Sequence, residues 1–118
     1  MTVLEIAKEL ISLCQTGQNF AAMEKLYSDD IASVEGDGSA PFVGKAVVIK
    51  KSADWVAAHE VHSGSVSGPF VHGNQFMVRF TFDVTIKANG HRMTMDEMGL
   101  YTVADEKIVR EEFFYAQA

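Results

Sequence analysis

The sequence predicts an α+β fold in which helices, met first along the chain, cover one face of a curved antiparallel sheet. Three observations carry this reading. Apolar residues recur at helical spacing over most of the chain as far as His59, period-two alternation takes over beyond it, and Asn89-Gly90 supplies a strong hairpin signal between two alternating runs.

Each element follows from local pattern. Thr2 is placed to cap a first helix, with Glu5 as its capping-box partner, and Leu4, Ile6, Ala7, Leu10, Ile11, Leu13 and Cys14 form the apolar stripe. That helix should run to about Thr16 and stop at Gly17. Phe20, Ala21, Met23, Leu26 and Tyr27 continue as a second short helix ending before "SDD". "IASVEGDG" alternates and then breaks into a glycine turn, which predicts a short strand running into a loop. After Pro41, "GKAVVIKKSADWVAAH" puts Val48, Ser52, Trp55 and His59 near one helical stripe and predicts a third helix.

"EVHSGSVSG" reads as a weak strand and "NQFMVRFTFDVTIKA" as a strong one, with Phe76, Val78, Phe80, Phe82, Val84 and Ile86 on one face. A type I′ turn at Asn89-Gly90 sends "HRMTMDEMGLYTV" back antiparallel, and "KIVREEFFYA" closes the sheet after a turn at "ADE". No interior linker or shift of composition divides the chain, so residues 1–118 are expected to form one domain.

Composition narrows the function. With 47% hydrophobic and 22% charged residues the chain is that of an ordinary globule, and a net charge of -6 argues against binding nucleic acid, which requires Lys and Arg against phosphates. No apolar run approaches the roughly 20 residues of a membrane span. "MTVLEIAKELISLC" carries Glu5 and Glu9, unlike a signal peptide, so a cytoplasmic location is expected. The single cysteine, Cys14, has no partner for an internal disulfide and is expected to pack as a small hydrophobe.

Strand register decides which carboxylates point inward. A two-residue turn at Asn89-Gly90 sets Phe82 opposite Glu97 and Asp83 opposite Asp96, so Glu97 lies on the apolar face and Asp96 on the polar one. For the last turn, Asp105-Glu106 lacks the glycine that a two-residue loop favours. A three-residue loop of Ala104, Asp105 and Glu106 sets Gly99 opposite Glu111, Glu97 opposite Phe113 and Met95 opposite Tyr115; a two-residue loop gives the opposite phase. On the three-residue register Glu111 joins Glu97 on the concave side, with Gly99 leaving space between them. Carboxylates buried among Phe82, Phe113 and Tyr101 have their pKa raised by desolvation and mutual repulsion, as a general acid or base requires. The alternative is a pair satisfied by Tyr101, Tyr115 or the Trp55 indole that only fixes the core.

Other motifs carry less. His59 and His62 in "HEVH" point to opposite faces of a strand, so no metal site is expected; His59 either reaches the pocket as a base or interacts with the end of the third helix. "GDG" and "SGSVSG" lack the lysine and setting of a phosphate loop and read as turns. On the convex face Met77, Met98, Leu100, Ile108 and Phe114 lie among Arg79, Arg92, Arg110 and Glu112, which predicts a two-fold dimer through the sheets.

A resemblance that covers nearly the whole chain is carried by two strings. "NFAAMEKLYSDDIASVEGDGSAPFVGK" and "DEKIVREEFFY" resemble the second helix, first strand, lead into the third helix and closing hairpin of the SnoaL-like branch of the nuclear transport factor 2-like superfamily. Glu106 stands where that hairpin usually has glycine. The resemblance implies a cone, a strongly bent sheet wrapped around three helices with a ligand pocket in its mouth, and it implies a dimer.

In its ketosteroid isomerase relatives, a worked case of pKa tuning, an Asp base works with an oxyanion hole of a Tyr and a protonated Asp. The base position falls at Glu35 here, whereas the donor positions fall at Leu10 or Ile11 and at Met98 or Gly99. A carboxylate is kept and both donors are missing.

The expectation is a cofactor-free protein holding a small apolar organic molecule, with proton-transfer chemistry of the isomerase, dehydratase or cyclase type. Glu35 or Glu97 would be the general base or acid, Tyr101 and Trp55 hydrogen-bond donors, and Phe82, Met95, Phe113 and Tyr115 walls. A non-catalytic binding or dimerisation module of the same fold is the alternative.

Overall fold

The computed structural model describes residues 1–116. Helix α1 (Val3–Gln15) begins with the capping box expected at Thr2: its hydroxyl accepts from the Glu5 amide at 3.1 Å and the Glu5 carboxylate accepts from the Thr2 amide at 2.8 Å. Helix α2 (Asn19–Leu26) follows and stops one residue earlier than expected, because Tyr27 is extended and opens strand β1 (Tyr27–Val34). Tyr27 is therefore a sheet residue. A two-residue strand β2 (Phe42–Val43) and helix α3 (Lys45–Ala58) precede four long strands: β3 (His59–His72), β4 (Gln75–Ile86), β5 (His91–Ala104) and β6 (Lys107–Tyr115).

These strands form one six-stranded sheet in the order β2-β1-β6-β5-β4-β3. Every neighbouring pair is antiparallel except β1 and β6, which run parallel. Joining β1 to the last strand makes the sheet wrap around α1 and places Ser33 beside Glu111.

The β4–β5 hairpin, and the β5–β6 hairpin beyond a bulge near its turn, each differ in register from expectation by two residues. The loop between β4 and β5 has four residues, 87–90, and only Gly90 takes a positive φ, of 69°. Asn89 uses its side chain to accept from the His91 amide at 2.9 Å, so a type I′ turn is absent. Glu97 therefore faces Phe80 rather than Phe82. Asp96 faces Thr81 and not Asp83, and each aspartate takes a bidentate arginine instead, Asp96 from Arg79 and Asp83 from Arg92.

At the last turn Asp105 and Glu106 have φ of 49° and 61°, and Ala104 pairs directly with Lys107. This two-residue loop reverses the phase that a three-residue loop would give. A bulge then restores it: Val103 pairs with Ile108, Thr102 with Arg110, and Val109 is the extra residue. Beyond the bulge Tyr101 faces Glu111, Gly99 faces Phe113 and Glu97 faces Tyr115, so both glutamates stay on the concave side. Before it, Ile108 is turned into the core, fully buried, rather than onto the convex face.

The core lies at one end of the molecule, where Ile6, Leu10 and Ile11 of α1 meet Phe76 and Val78 of β4 and Tyr101 of β5. The Phe76 and Tyr101 rings stack at 5.0 Å. Gly99 makes this possible, since a Cβ there would stand 2.9 Å from the Tyr101 ring and 3.2 Å from Phe80. Helix α3 contributes only Val48 as a buried residue, and along β4 Phe82 is only half-buried between the buried Phe80 and Val84, where the cavity opens.

The strained turn yields a stability prediction. Glu106→Gly removes a side chain from a left-handed backbone and should stabilise the protein by about 1 kcal/mol in urea unfolding, because the exposed bridge from Glu106 to the terminal amine contributes little.

Candidate functional site

The open end encloses a cavity of about 930 Å³ between α1, α3 and the concave face of the sheet. The sequence places it there by parity: β4, β5 and β6 each send alternate side chains inward, and near the mouth those include Phe80, Phe82, Met95, Glu97, Glu111 and Phe113. Phe82 lies flat over β3 because its partner there is Gly64, where a Cβ would stand 2.7 Å from the ring. Trp55, from α3, meets Phe82 at 6.0 Å, and the Phe80 and Phe82 rings stack at 6.1 Å.

Of the residues proposed from sequence, Glu35, Trp55, Phe82, Met95, Glu97, Tyr101, Glu111, Phe113 and Tyr115 all line this cavity. His59 does not. It is the C-cap of α3, its Nδ1–H donates to the Trp55 carbonyl at 2.7 Å, and its ring stacks on Trp55 at 4.3 Å, so it holds the tryptophan instead of reaching inward. His62 is bonded to Thr85 Oγ1 at 2.7 Å, and no group of three or more His, Cys, Asp or Glu side chains among the described residues is arranged to hold a metal ion.

The polar groups form two arrangements. In the first, Glu111 is buried at 2% exposure and accepts from two hydroxyls: Tyr27 on one oxygen and Ser33 on the other, the latter at 2.8 Å. Lys51 donates to the same Ser33 oxygen at 2.6 Å and also pairs with Glu35, whose second oxygen accepts from the Tyr115 hydroxyl. A continuous chain therefore runs from Tyr27 through Glu111, Ser33, Lys51 and Glu35 to Tyr115. The Lys51 ammonium also lies 5.1 Å from the Phe42 ring centre and 5.3 Å from that of Phe113. Burial pushes the Glu111 carboxyl up against the pull of its hydroxyl donors and Lys51. It also raises the Tyr27 and Tyr101 hydroxyls well above the usual range, with Glu111 adding in each case.

The second arrangement is Glu97 alone. It has no ion-pair or hydrogen-bond partner among the described residues, and desolvation, then Glu35, push its pKa to about 7 against the opposing pull of Lys51. A carboxyl titrating near neutrality inside an apolar cavity can both take and give a proton at physiological pH. Cys14 also lines the cavity, and burial pushes its thiol up to about 11, which makes it inert at neutral pH.

Lys51, Ser33 and Tyr27 went unforeseen. Lys51 lies three residues after Val48 and four before Trp55, hence on the inward stripe of α3, and Ser33 follows Ile31 by two on the inward face of β1. Both positions were legible. Tyr27 was hidden by its assignment to the second helix.

The raised pKa fixes the sign of a pH effect. A carboxyl with a folded-state pKa near 7 and an ordinary value of 4.5 binds its proton more tightly when folded, so its stabilisation is full below about 4.5 and is lost as pH rises through 7. Glu97→Gln should leave thermal stability at pH 4.5 nearly unchanged and raise it at pH 8 by ~2 kcal/mol, a value reduced for partial solvent access. Melting curves of both proteins at the two pH values check this.

Residues 1–115 match the family model of the SnoaL-like domain. A solved structure from Mesorhizobium loti, provisionally named a SnoaL-like polyketide cyclase with carbohydrate phosphatase in brackets, is 51% identical, with a TM-score of 0.94 over 98% of this chain and 100% of its own. A protein of Xanthomonas campestris with a cystatin-like fold is 22% identical at a TM-score of 0.79, over 99% of this chain and 92% of that one. A further structure from Jannaschia, also provisionally named a SnoaL-like polyketide cyclase, is 14% identical at 0.79, over 96% and 84%. The last two establish likeness of fold alone. No curated protein matches significantly. By its helices, its wrapped sheet and a family match spanning nearly its whole length, the chain belongs to the SnoaL-like family, on the nuclear transport factor 2-like, cystatin-like fold.

Proposed function

We propose that the protein binds a small, largely apolar organic molecule in the cavity and moves a proton on it without a cofactor, as an isomerase, dehydratase or cyclase does. The observation that carries this is Glu97: an unpartnered carboxyl among aromatic walls, with its pKa pushed to about 7. General acid-base catalysis works best when the group titrates near the working pH. Glu97 is the acid or base of this reading. Glu35, held by Lys51 and Tyr115, orients Lys51 so that its ammonium stabilises negative charge developing on a carbonyl oxygen. Lys51 thereby takes over the work of the oxyanion donors absent from Leu10 or Ile11 and from Met98 or Gly99. Tyr101 backs the wall through its contact with Tyr27, and Trp55 closes it from α3.

A second reading, a binding module without chemistry, is favoured by one observation: Glu35 and Glu111 already have their hydrogen bonds made within the protein. The two readings separate by isotope exchange. In D₂O, the protein should accelerate exchange at the α-carbon of an apolar enolisable ketone such as 2-tetralone, with a rate rising through pH 7, and Glu97→Gln should lower it by about 10² or more. A Glu97 carboxyl carbon that titrates near 4 by NMR would defeat the catalytic reading.

For assembly we propose a homodimer through the convex face, where Phe70 and Phe114 are 69% and 50% exposed. Sedimentation of Phe114→Glu should give a monomer where the parent protein gives a dimer.

A further inference from the structure

The charges of the cavity do not balance. Glu35 is matched by Lys51, and Glu111 by the hydroxyls of Tyr27 and Ser33. Glu97 is matched by nothing among the described residues, and at its position the influence of Glu35 exceeds that of Lys51, while Glu111 adds to the same negative side. An anionic ligand would be repelled there. The carboxylate is also framed by rings, since register puts Phe80 and Tyr115 directly opposite it and Phe82 and Phe113 on the diagonals, within reach of one ligand group. Aromatic faces attract cations, and this cavity already uses that attraction once, with the Lys51 ammonium 5.3 Å from the Phe113 ring centre.

We propose that the cavity's ligand is a hydrophobic organic cation, a protonated or quaternary amine on an apolar body, with its ammonium against Glu97 and the rings of Phe80, Phe82 and Tyr115. The apolar body would occupy the wall formed by Leu10, Met23, Val66 and Met95. This rests on the reading of the cavity as a small-molecule site and does not depend on whether Glu97 moves a proton in turnover. An ammonium supplies what the unpaired carboxylate lacks, an opposite charge that burial makes stronger than it would be in water. A neutral ligand would leave Glu97 to be satisfied by a proton.

Trp55 is the only tryptophan and lines the cavity, so its fluorescence reports occupancy. Three probes share one apolar ring: cyclohexyltrimethylammonium, cyclohexylmethanol and cyclohexanecarboxylate. At pH 8 the cation should bind at least about tenfold more tightly than the alcohol, and the carboxylate most weakly. At pH 5.5, with Glu97 protonated, the preference for the cation should shrink severalfold. Glu97→Gln should lower the preference at pH 8 to about its pH 5.5 level and remove its dependence on pH. Phe82→Leu is an independent variant that should weaken the cation severalfold more than the alcohol.

If the alcohol binds and the cation binds no more tightly at pH 8, the cation assignment is overturned and the cavity reading survives. A carboxylate that binds best overturns it equally. If none of the three shifts Trp55 emission or the Met95 methyl resonance, the cavity is not a ligand site and both readings fall.

Discussion

The structure depends on one buried carboxylate. Glu111 belongs to β6, yet its two oxygens are held by Tyr27 and Ser33 of β1, and through Ser33 it reaches Lys51 of α3. Three elements that are far apart in sequence meet at this side chain. Apolar contacts alone would bring β1 against β6 with little preference for register, whereas an oxygen that must find its donor tolerates almost no slip. The register of β1 on β6 and the direction in which the Lys51 ammonium points are those that satisfy Glu111.

The same constraint divides the interior into two kinds of space. At the α1 end, side chains fill the volume between helix and sheet with stacked rings and branched aliphatics. At the α3 end, three glutamates and a lysine keep the walls apart, because none can collapse onto its neighbours without losing hydrogen bonds or burying bare charge. The cavity is thus a consequence of polar groups placed where a folding domain would otherwise pack hydrocarbon.

Which faces are buried was legible in the sequence, and how the turns are made was not. Alternation along β4 and β5 assigned Glu97 to the concave side, and its hairpin register proved wrong by two residues without moving it to the other face; Glu111 was placed there by a three-residue last loop that is absent, and only the bulge in β6 keeps it on that side. Turn chemistry misled because the side chain of Asn89, and not its backbone, closes one loop, while Asp105 and Glu106 accept left-handed backbone where glycine is expected. The Val109 bulge has no signature in the sequence, and it moved Ile108 from surface to core. Lys51 was overlooked for a different reason. A lysine on a helix is ordinarily assigned to water, and only the partners supplied by β1 and by the residues around Glu35 make an inward orientation acceptable. Those contacts are long-range, and periodicity along a single segment contains no information about them.

Helix α3 buries only Val48 completely, and its remaining holds on the sheet are the half-buried Trp55 against Phe82 and the polar contact of Lys51 with Ser33 and Glu35. An element with so little apolar anchorage has a lower local opening free energy than the stacked core beside it. On the α3 side the cavity is therefore closed by a lightly anchored wall. Part of its fastening is electrostatic, so a solute that competes for Lys51 or Glu35 would loosen that wall. Added salt, which screens such a pair, would therefore act on this wall before it touched the stacked core.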